Sequence, residues 1–495
     1  MKNFLLAITR RLGAGALFCC FLTTFTLLPL SGITTSAAVE DYDIVIVNGR
    51  VIDPESKLDA VRNIGIVKGT VQAVTADTLQ GRATIDASGL VVSPGFIDLH
   101  EHAHEQENYR FQVMDGVTTA LELERGTADV DGWYAEREGK TIINYGVSAG
   151  HVPVRMQLMR DPGGLVPTGD AARKSASEAE IAEMKRQIER WLERGAVAVG
   201  LIIQLTPAAS RWEILEMFRA AAQFKAFCYV HIRYQGEQEP ESSVSALEEV
   251  IAAGAVTGAS LHVVHLTSNG LRATPRLLQM IGEAQSRGLD VTTELYPYTA
   301  ASNPIDSAMF DEGWQKRLGI DYQDLQWVAT GERLTAESFA RYRQTGGMVI
   351  LHMIPEAIVR AAVTSPLTLI ASDGIKGHPR SSGTYARVLG RYVREAKVLP
   401  LMEALRKMTL MPAQRLEQRV PMMKNKGRIR IGADADVTIF DPAQVIDTAS
   451  YEEPAKYSAG IKYVLVNGVL VVKDSQLQSG IAPGQPVRAP VREVK

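Results

Sequence analysis

The hydrophobic positions of this chain fall into two patterns. From Tyr42 to about Val92, short β-rich runs alternate with turn residues: Y-D-I-V-I-V-N-G-R-V-I-D, N-I-G-I-V-K-G-T-V-Q-A-V and A-T-I-D-A-S-G-L-V-V. Runs of this kind predict strands, and the Asn48-Gly49 step predicts a hairpin turn. The same texture returns near the C-terminus in G-R-I-R-I-G-A-D-A-D-V-T-I-F-D and Y-V-L-V-N-G-V-L-V-V, where Asn467-Gly468 repeats the turn signal. Each end alone is too small to bury much surface, so the two ends are expected to combine into one discontinuous β-sandwich.

Between them, apolar runs of strand length alternate with helical stretches, the pattern of βα units around a parallel sheet. Expected strands end near His100, Glu124, Gly150, Leu201, His231, His265, Glu294 and Asp373. Eight such runs fit a closed (β/α)8 barrel of the TIM type, an α/β fold. The stretch from Glu178 to Arg194, with apolar residues three and four apart, reads as one of its helices. The long segment between Tyr296 and Leu367 carries an extra apolar run, M-V-I-L-H, which is either part of a lid or a further strand. The division that follows is a leader over 1–38, sandwich halves over 39–92 and 416–495, and a barrel over 93–415.

Composition narrows the class without altering this picture. A chain of 495 residues with 46% hydrophobic and 22% charged positions is globular, and a formal net charge of −3 without a dense basic run argues against nucleic acid as a partner. Lys2, Arg10 and Arg11 precede an apolar stretch from about Leu12 to Leu30, followed by small residues around Ala37 and Ala38. This is the layout of an export signal, and it implies a periplasmic or secreted protein with no stable membrane insertion after cleavage. The competing reading is a retained anchor, since the segment approaches the roughly 20 residues that span a bilayer. Cys19 and Cys20 lie inside that segment in L-F-C-C, a poor lipid-attachment context. Removing the leader leaves Cys228 alone, so the mature chain forms no internal disulfide, and its apolar surroundings mark it as a small core residue.

The candidate chemistry sits where the barrel strands end. In S-P-G-F-I-D-L-H-E-H, two histidines one residue apart close an apolar strand, and alternation points His100 and His102 the same way. Paired imidazoles suit a divalent metal. At the C-terminal ends of barrel strands side chains converge on one mouth, and these ends also carry Glu122 with Glu124, His151, His231, His265 and Asp373. Each histidine by itself is as readily a core residue, so the argument rests on the set. His262, three residues before His265, is turned by alternation to the opposite side and reads as structural. Asp373, in L-T-L-I-A-S-D-G, follows a wholly apolar strand; a buried lone carboxylate is costly, so it is expected to meet an activated water or a cation and to act as general acid/base.

These residues carry a resemblance. P-G-F-I-D-L-H-E-H, the histidines of V-H-I-R and V-V-H-L, the A-S-D-G motif and the split β-sandwich resemble the metal-dependent amidohydrolase superfamily. G-V-T-T at 116–119, G-H-V-P-V-R at 150–155, Y-P-Y-T-A at 296–300, H-P-R at 378–380 and T-Y-A-R-V-L-G-R-Y-V-R-E at 384–395 are similar to its N-acyl-D-amino-acid deacylase (D-aminoacylase) branch. The resemblance implies His100 and His102 as one metal pair, His231 and His265 as ligands of a second position, one or two divalent ions such as Zn2+, and Asp373 as the catalytic acid/base. Family members bridge the two positions with a cysteine in G-N-C-G. This chain has L-E-L-E-R-G there and no lysine on the fourth strand, and a carboxylate can bridge instead, Glu124 in first place and Glu122 in reserve. The family's lysine after His265 is replaced by Leu266 and Thr267, and the tyrosine after the fourth strand by Q-L-T-P.

Arg380, Tyr296 and Tyr298 are candidates for holding a substrate carboxylate, Arg380 by a two-pronged contact or, equally, as a loop-anchoring ion pair. The implied reaction is hydrolysis of the amide bond of an N-acyl-D-amino acid, a small-molecule substrate, to a carboxylate and a free amino acid. The metal polarises the carbonyl and activates water, while Asp373 takes the proton and passes it to the amine. Alternatives on the same site are a cyclic amidase, a dipeptidase, a lactonase, or a non-catalytic scaffold.

Overall fold

The computed structural model describes residues 42–492. Eight short parallel strands, Phe96–Asp98, Val117–Thr127, Asn144–Gly150, Val199–Ile202, Phe227–His231, Ser260–Val263, Val291–Leu295 and Thr368–Ile370, pair in chain order. Their ends fall within a few residues of the expected positions. The first and eighth strands are joined just beyond their ends, where Glu101 bridges to Gly374 and the His102 N–H donates to the Gly374 carbonyl at 2.9 Å. The nearly closed barrel therefore finishes its circuit at the mouth, beside the candidate site. Helices cover its outside. Glu178–Glu193 starts with a reciprocal cap between Ser177 and Glu180 and buries Ile181, Met184, Ile188 and Leu192, the three-and-four spacing that its sequence shows.

Both ends of the described chain contribute to one nine-stranded sheet. Val437–Phe440 from the C-terminal part lies antiparallel to Val91–Pro94 from the N-terminal part, with Val437 opposite Pro94 and Phe440 opposite Val91. Their apolar faces share a core that includes Ile46, Val51, Val92, Val437 and Ile439. The α/β class, the barrel and the sheet domain built from both ends are as the sequence leads one to expect. The two Asn-Gly steps part company. Asn467-Gly468 makes the tight turn between Ile461–Val466 and Val469–Lys473, both residues having positive φ. Asn48-Gly49 makes no hairpin: Tyr42–Asp53 runs on through it as one strand, and the pair forms a bulge where the register slips between Ile46 and Gly49. Asn48 takes the left-handed φ of 62° there, and the reversal comes at the turn after Asp53.

The segment between the seventh and eighth barrel strands is a separate three-stranded antiparallel sheet, Ala300–Pro304, Leu325–Trp327 and Met348–His352. M-V-I-L-H is thus a strand, but not a barrel strand. Its own small core packs Phe310, Trp314, Trp327 and Phe339. Past the sheet domain, residues 485–489 return to the barrel: the Val487 N–H donates to Tyr145 O at 2.7 Å and the Ala489 N–H to Gly195 O at 3.0 Å. Cys228 is buried in the fifth strand, and burial pushes its thiol well above the usual range. The leader read from the sequence lies outside the described residues; among those described, no helix is long and apolar enough to cross a membrane.

Candidate metal centre

At the barrel mouth the structure gathers His100, His102, Glu124, His231, His265 and Asp373 from five different strand ends. His100, Glu124, His231, His265 and Asp373 are buried, and His102 is partly so. The Nε2 atoms of His100 and His102 lie 3.2 Å apart. Glu124 Oε2 is 3.3 Å from the first and 3.1 Å from the second. Asp373 Oδ1 is 3.4 Å and 3.5 Å from the same two atoms. Ligands at about 2.0–2.1 Å from a tetrahedral ion stand roughly 3.3 Å from one another. The four donors are spaced as a divalent cation would space them. The other oxygen of Glu124 faces a second group: Oε1 is 3.0 Å from His231 Nδ1 and 3.1 Å from His265 Nε2. One carboxylate thus spans both histidine pairs, one oxygen to each. Glu122 does not enter this space, because its Oε2 accepts from His102 Nδ1 at 2.8 Å, behind the ring.

The imidazoles are aimed by groups on their far sides. His100 Nδ1 donates to Glu294 Oε1 at 2.6 Å, and Glu294 Oε2 also accepts from Tyr229 and, at 3.1 Å, from His262 Nε2. The Ser268 hydroxyl lies 3.0 Å from His265 Nδ1. Such outer partners fix the tautomer and direct the remaining nitrogen at an ion. Neither Glu294 nor Ser268 stands out in the sequence as a site residue; the signal for Glu294 is an acid at the end of the seventh strand. His262 is structural as expected, but it faces the barrel interior one layer below the site rather than the opposite side. Alternation fails there because the strand ends at Val263 and His265 turns into a left-handed backbone of φ 25°.

Charge in the cluster is balanced internally. Burial opposes protonation of His100 and His102, yet Glu124, Asp373 and Glu294 around the first and Glu122 beside the second hold both imidazoles well above the ordinary histidine range. Burial likewise opposes ionisation of Asp373, and Arg380 with His100 and His265 outweighs it, holding the carboxyl far below its usual range. Burial and the neighbouring His265 depress His231, whose buried Nε2 finds no protein partner. Where carboxylates hold neighbouring imidazoles protonated in this way, a bound metal can take the place of the protons.

A family model described as the amidohydrolase family matches residues 83–472. The chain belongs to the amidohydrolase family. This amidohydrolase is 31% identical to an N-acyl-D-glutamate deacylase of Alcaligenes xylosoxydans xylosoxydans, over 87% of this chain and 94% of that one. It is 29% identical to the D-aminoacylase of the same organism, over 87% and 95%. Among solved structures it matches the N-acyl-D-glutamate deacylase of Bordetella bronchiseptica, described as complexed with zinc and a phosphonate inhibitor, at 28% identity and a TM-score of 0.78, covering 91% of this chain and all of that one. The branch that the sequence motifs resemble is the one these relatives represent.

A cleft of about 510 Å³ opens over the amidohydrolase's donor cluster, lined on one side by Leu165, Val166, Ile202 and Leu205 and on the other by Ser302, Asn303 and Pro304 of the inserted sheet. Arg380 lines it too. Its NH1 is 3.0 Å from Asp373 Oδ2 without the alignment of a hydrogen bond, its Nε has no partner, and the guanidinium lies over the Tyr296 ring at 4.6 Å. Arg380 thus forms an ion pair, with Asp373, and keeps donors without a hydrogen-bond partner among the described residues. Tyr296 is buried beside Arg380, its hydroxyl near Ser268 but in no well-aligned hydrogen bond among the described residues. Tyr298 is engaged elsewhere: its hydroxyl donates to the Pro379 carbonyl at 3.3 Å, and, like Tyr296, it is a buried core residue outside the cleft lining. His151 is a correction: it opens a helix and pairs with Glu213 at 2.7 Å, alongside Arg155, away from the mouth.

Proposed function

We propose that this protein is a metal-dependent hydrolase that cleaves the amide bond of N-acyl-D-amino acids, releasing a carboxylate and a free amino acid. The observation that carries the reading is the Glu124 carboxylate, placed with one oxygen on the His100/His102 pair and the other on the His231/His265 pair, 3.0 to 3.3 Å from each donor. His100, His102, Glu124, His231 and His265 would hold one or two divalent ions, zinc in the first place. A bound ion of this kind supplies Lewis-acid polarisation of the scissile carbonyl and acidifies water.

The protein's own groups then divide the remaining work. Asp373, kept ionised by Arg380, accepts the proton of the attacking water and passes it to the leaving nitrogen. Glu294 and Ser268 keep the His100 and His265 rings in the orientation that presents Nε2 to the centre. Arg380, with Tyr296 under its guanidinium, receives the carboxylate of the substrate. The inserted sheet and the apolar residues Leu165 and Val166 line the cleft beside these groups.

The test is a panel of N-acyl-D- and N-acyl-L-amino acids, set beside cyclic imides, dipeptides and lactones, assayed with zinc-loaded protein. Turnover of the D-acyl compounds well above their L counterparts and the other classes is expected. Faster turnover of a cyclic imide would move the protein to another activity of the family. We also propose a division into sheet-domain parts 39–92 and 416–495 around a barrel over 93–415, and export to the periplasm or beyond. N-terminal sequencing of the mature protein is expected to start near Val39; a chain retaining residues 1–38 would favour a tethered enzyme.

A further inference from the structure

Glu101 stands between the two histidines of H-E-H, and alternation sends its side chain away from the cleft. It is fully buried, yet it forms no ion pair with Lys or Arg among the described residues and has no place in the donor cluster. Its Oε1 accepts from the Ala103 N–H at 2.7 Å, and its Oε2 accepts from Gln112 Nε2 and from the Ser372 hydroxyl, 3.2 Å away. Ser372 is the residue before Asp373. Its hydroxyl is within hydrogen-bond reach of both Glu101 Oε2 and the His100 carbonyl, the latter at 3.1 Å, while its oxygen accepts from the Gly374 N–H at 2.9 Å. The Ser372 N–H donates in turn to Asp98 Oδ1 at 3.0 Å. A side chain at Gly374 would run into the Glu101 carboxylate, so that glycine is dictated by the same contact.

Between Ser372 and Gly374, Asp373 has a left-handed backbone, φ 49°. A residue other than glycine keeps that conformation only where its surroundings over-determine it, and such strain collects at functional sites. Here the surroundings are specific: both flanking residues of Asp373 are tied into the Glu101 network, which also closes the first barrel strand on the eighth through the Glu101–Gly374 bridge. We propose that Glu101 is a positioning residue, which through Ser372 and Gly374 holds Asp373 in the left-handed turn that aims its carboxylate at His100 and His102. The proposal rests on the reading of Asp373 as the proton carrier.

The experiment compares Glu101→Ala, Glu101→Gln and Ser372→Ala with the parent enzyme in metal content, steady-state kinetics on the D-acyl substrate that the parent cleaves best, and crystal structures. Misplacing a reacting group by an ångström costs on the order of a hundredfold, so Glu101→Ala and Ser372→Ala are expected to lower kcat by about 10- to 100-fold, with KM within about twofold and metal content unchanged. Glu101→Gln is expected to recover kcat to within about threefold, because its amide oxygen still accepts from Ala103, the unpartnered Oε1 of Gln112 can turn to meet its NH2, and that NH2 can donate to the Ser372 oxygen while the Ser372 hydroxyl donates to the His100 carbonyl. Unchanged kcat in both truncations, loss of kcat in step with loss of metal, or a Gln variant as slow as the Ala variant would each overturn the proposal. If Glu101→Ala does not fold, Ser372→Ala carries the comparison. If the parent cleaves none of the acyl amino acids, the functional reading fails. The crystal structures then decide the latch alone: Asp373 leaving the left-handed region supports it, and Asp373 staying there overturns it.

Discussion

At the scale of single residues, the site is defined by which side of a carboxylate or an imidazole faces the centre. Glu122 and Glu124 lie on the same face of one strand, so alternation alone lets either serve as the bridge. The structure separates them because Glu124 reaches between the two histidine pairs, whereas Glu122 lies behind His102, where it also accepts the Arg125 N–H at 3.0 Å. His231 and His151 likewise both follow apolar strands. His231 stays in the mouth, while His151 is drawn off by Glu213 from a neighbouring helix. Asp373 gives the sharpest prediction at this scale. Asp373→Asn keeps an oxygen near the histidines but removes the proton acceptor, so kcat is expected to fall by about 10²- to 10⁴-fold with metal content, measured by atomic emission, unchanged. Turnover at the parent rate would remove Asp373 from the mechanism.

At the scale of elements, identical local signals meet different tertiary partners. Asn467-Gly468 and Asn48-Gly49 carry the same turn chemistry, but only the first lies between strands short enough to pair back on each other. The second is held straight by a partner strand that continues alongside it, so its left-handed residue becomes a bulge. Gly468→Ala forces a side chain onto the backbone of Gly69 at a φ of 77°, and a loss of about 1–3 kcal/mol in urea unfolding is expected. A loss below the error of the measurement would mean that the two hairpin ends do not pack as described. The inserted sheet teaches the converse lesson. M-V-I-L-H has the apolar character of a barrel strand, yet it pairs antiparallel with Ala300–Pro304 and Leu325–Trp327, and long-range pairing of that kind leaves no mark within the five residues themselves.

At the scale of the whole molecule, the donors are spread from His100 to Asp373 and meet only because the barrel nearly closes. An ion that binds the folded chain and not the unfolded one stabilises it by mass action, about 2.7 kcal/mol at a hundred times its dissociation constant. Dialysis against a strong chelator is therefore expected to lower Tm, and added zinc to restore it in a concentration-dependent way; an unmoved Tm would argue that no ion links these strands. The sequence by itself determined the periodicities, and with them the eight strands, the covering helices and the split sheet domain, because burial requires apolar residues at spacings that local geometry sets. It also placed His100 and His102 on one face, since two residues along a strand are enough to decide that. Tertiary structure alone decided that Glu124 rather than Glu122 joins the two pairs, that Glu294 backs His100, that the Tyr298 hydroxyl meets the Pro379 carbonyl, and that Glu101 meets Ser372 beside Asp373. Those outcomes depend on distances between side chains hundreds of positions apart, and only the closing of the barrel brings such side chains within reach of one another.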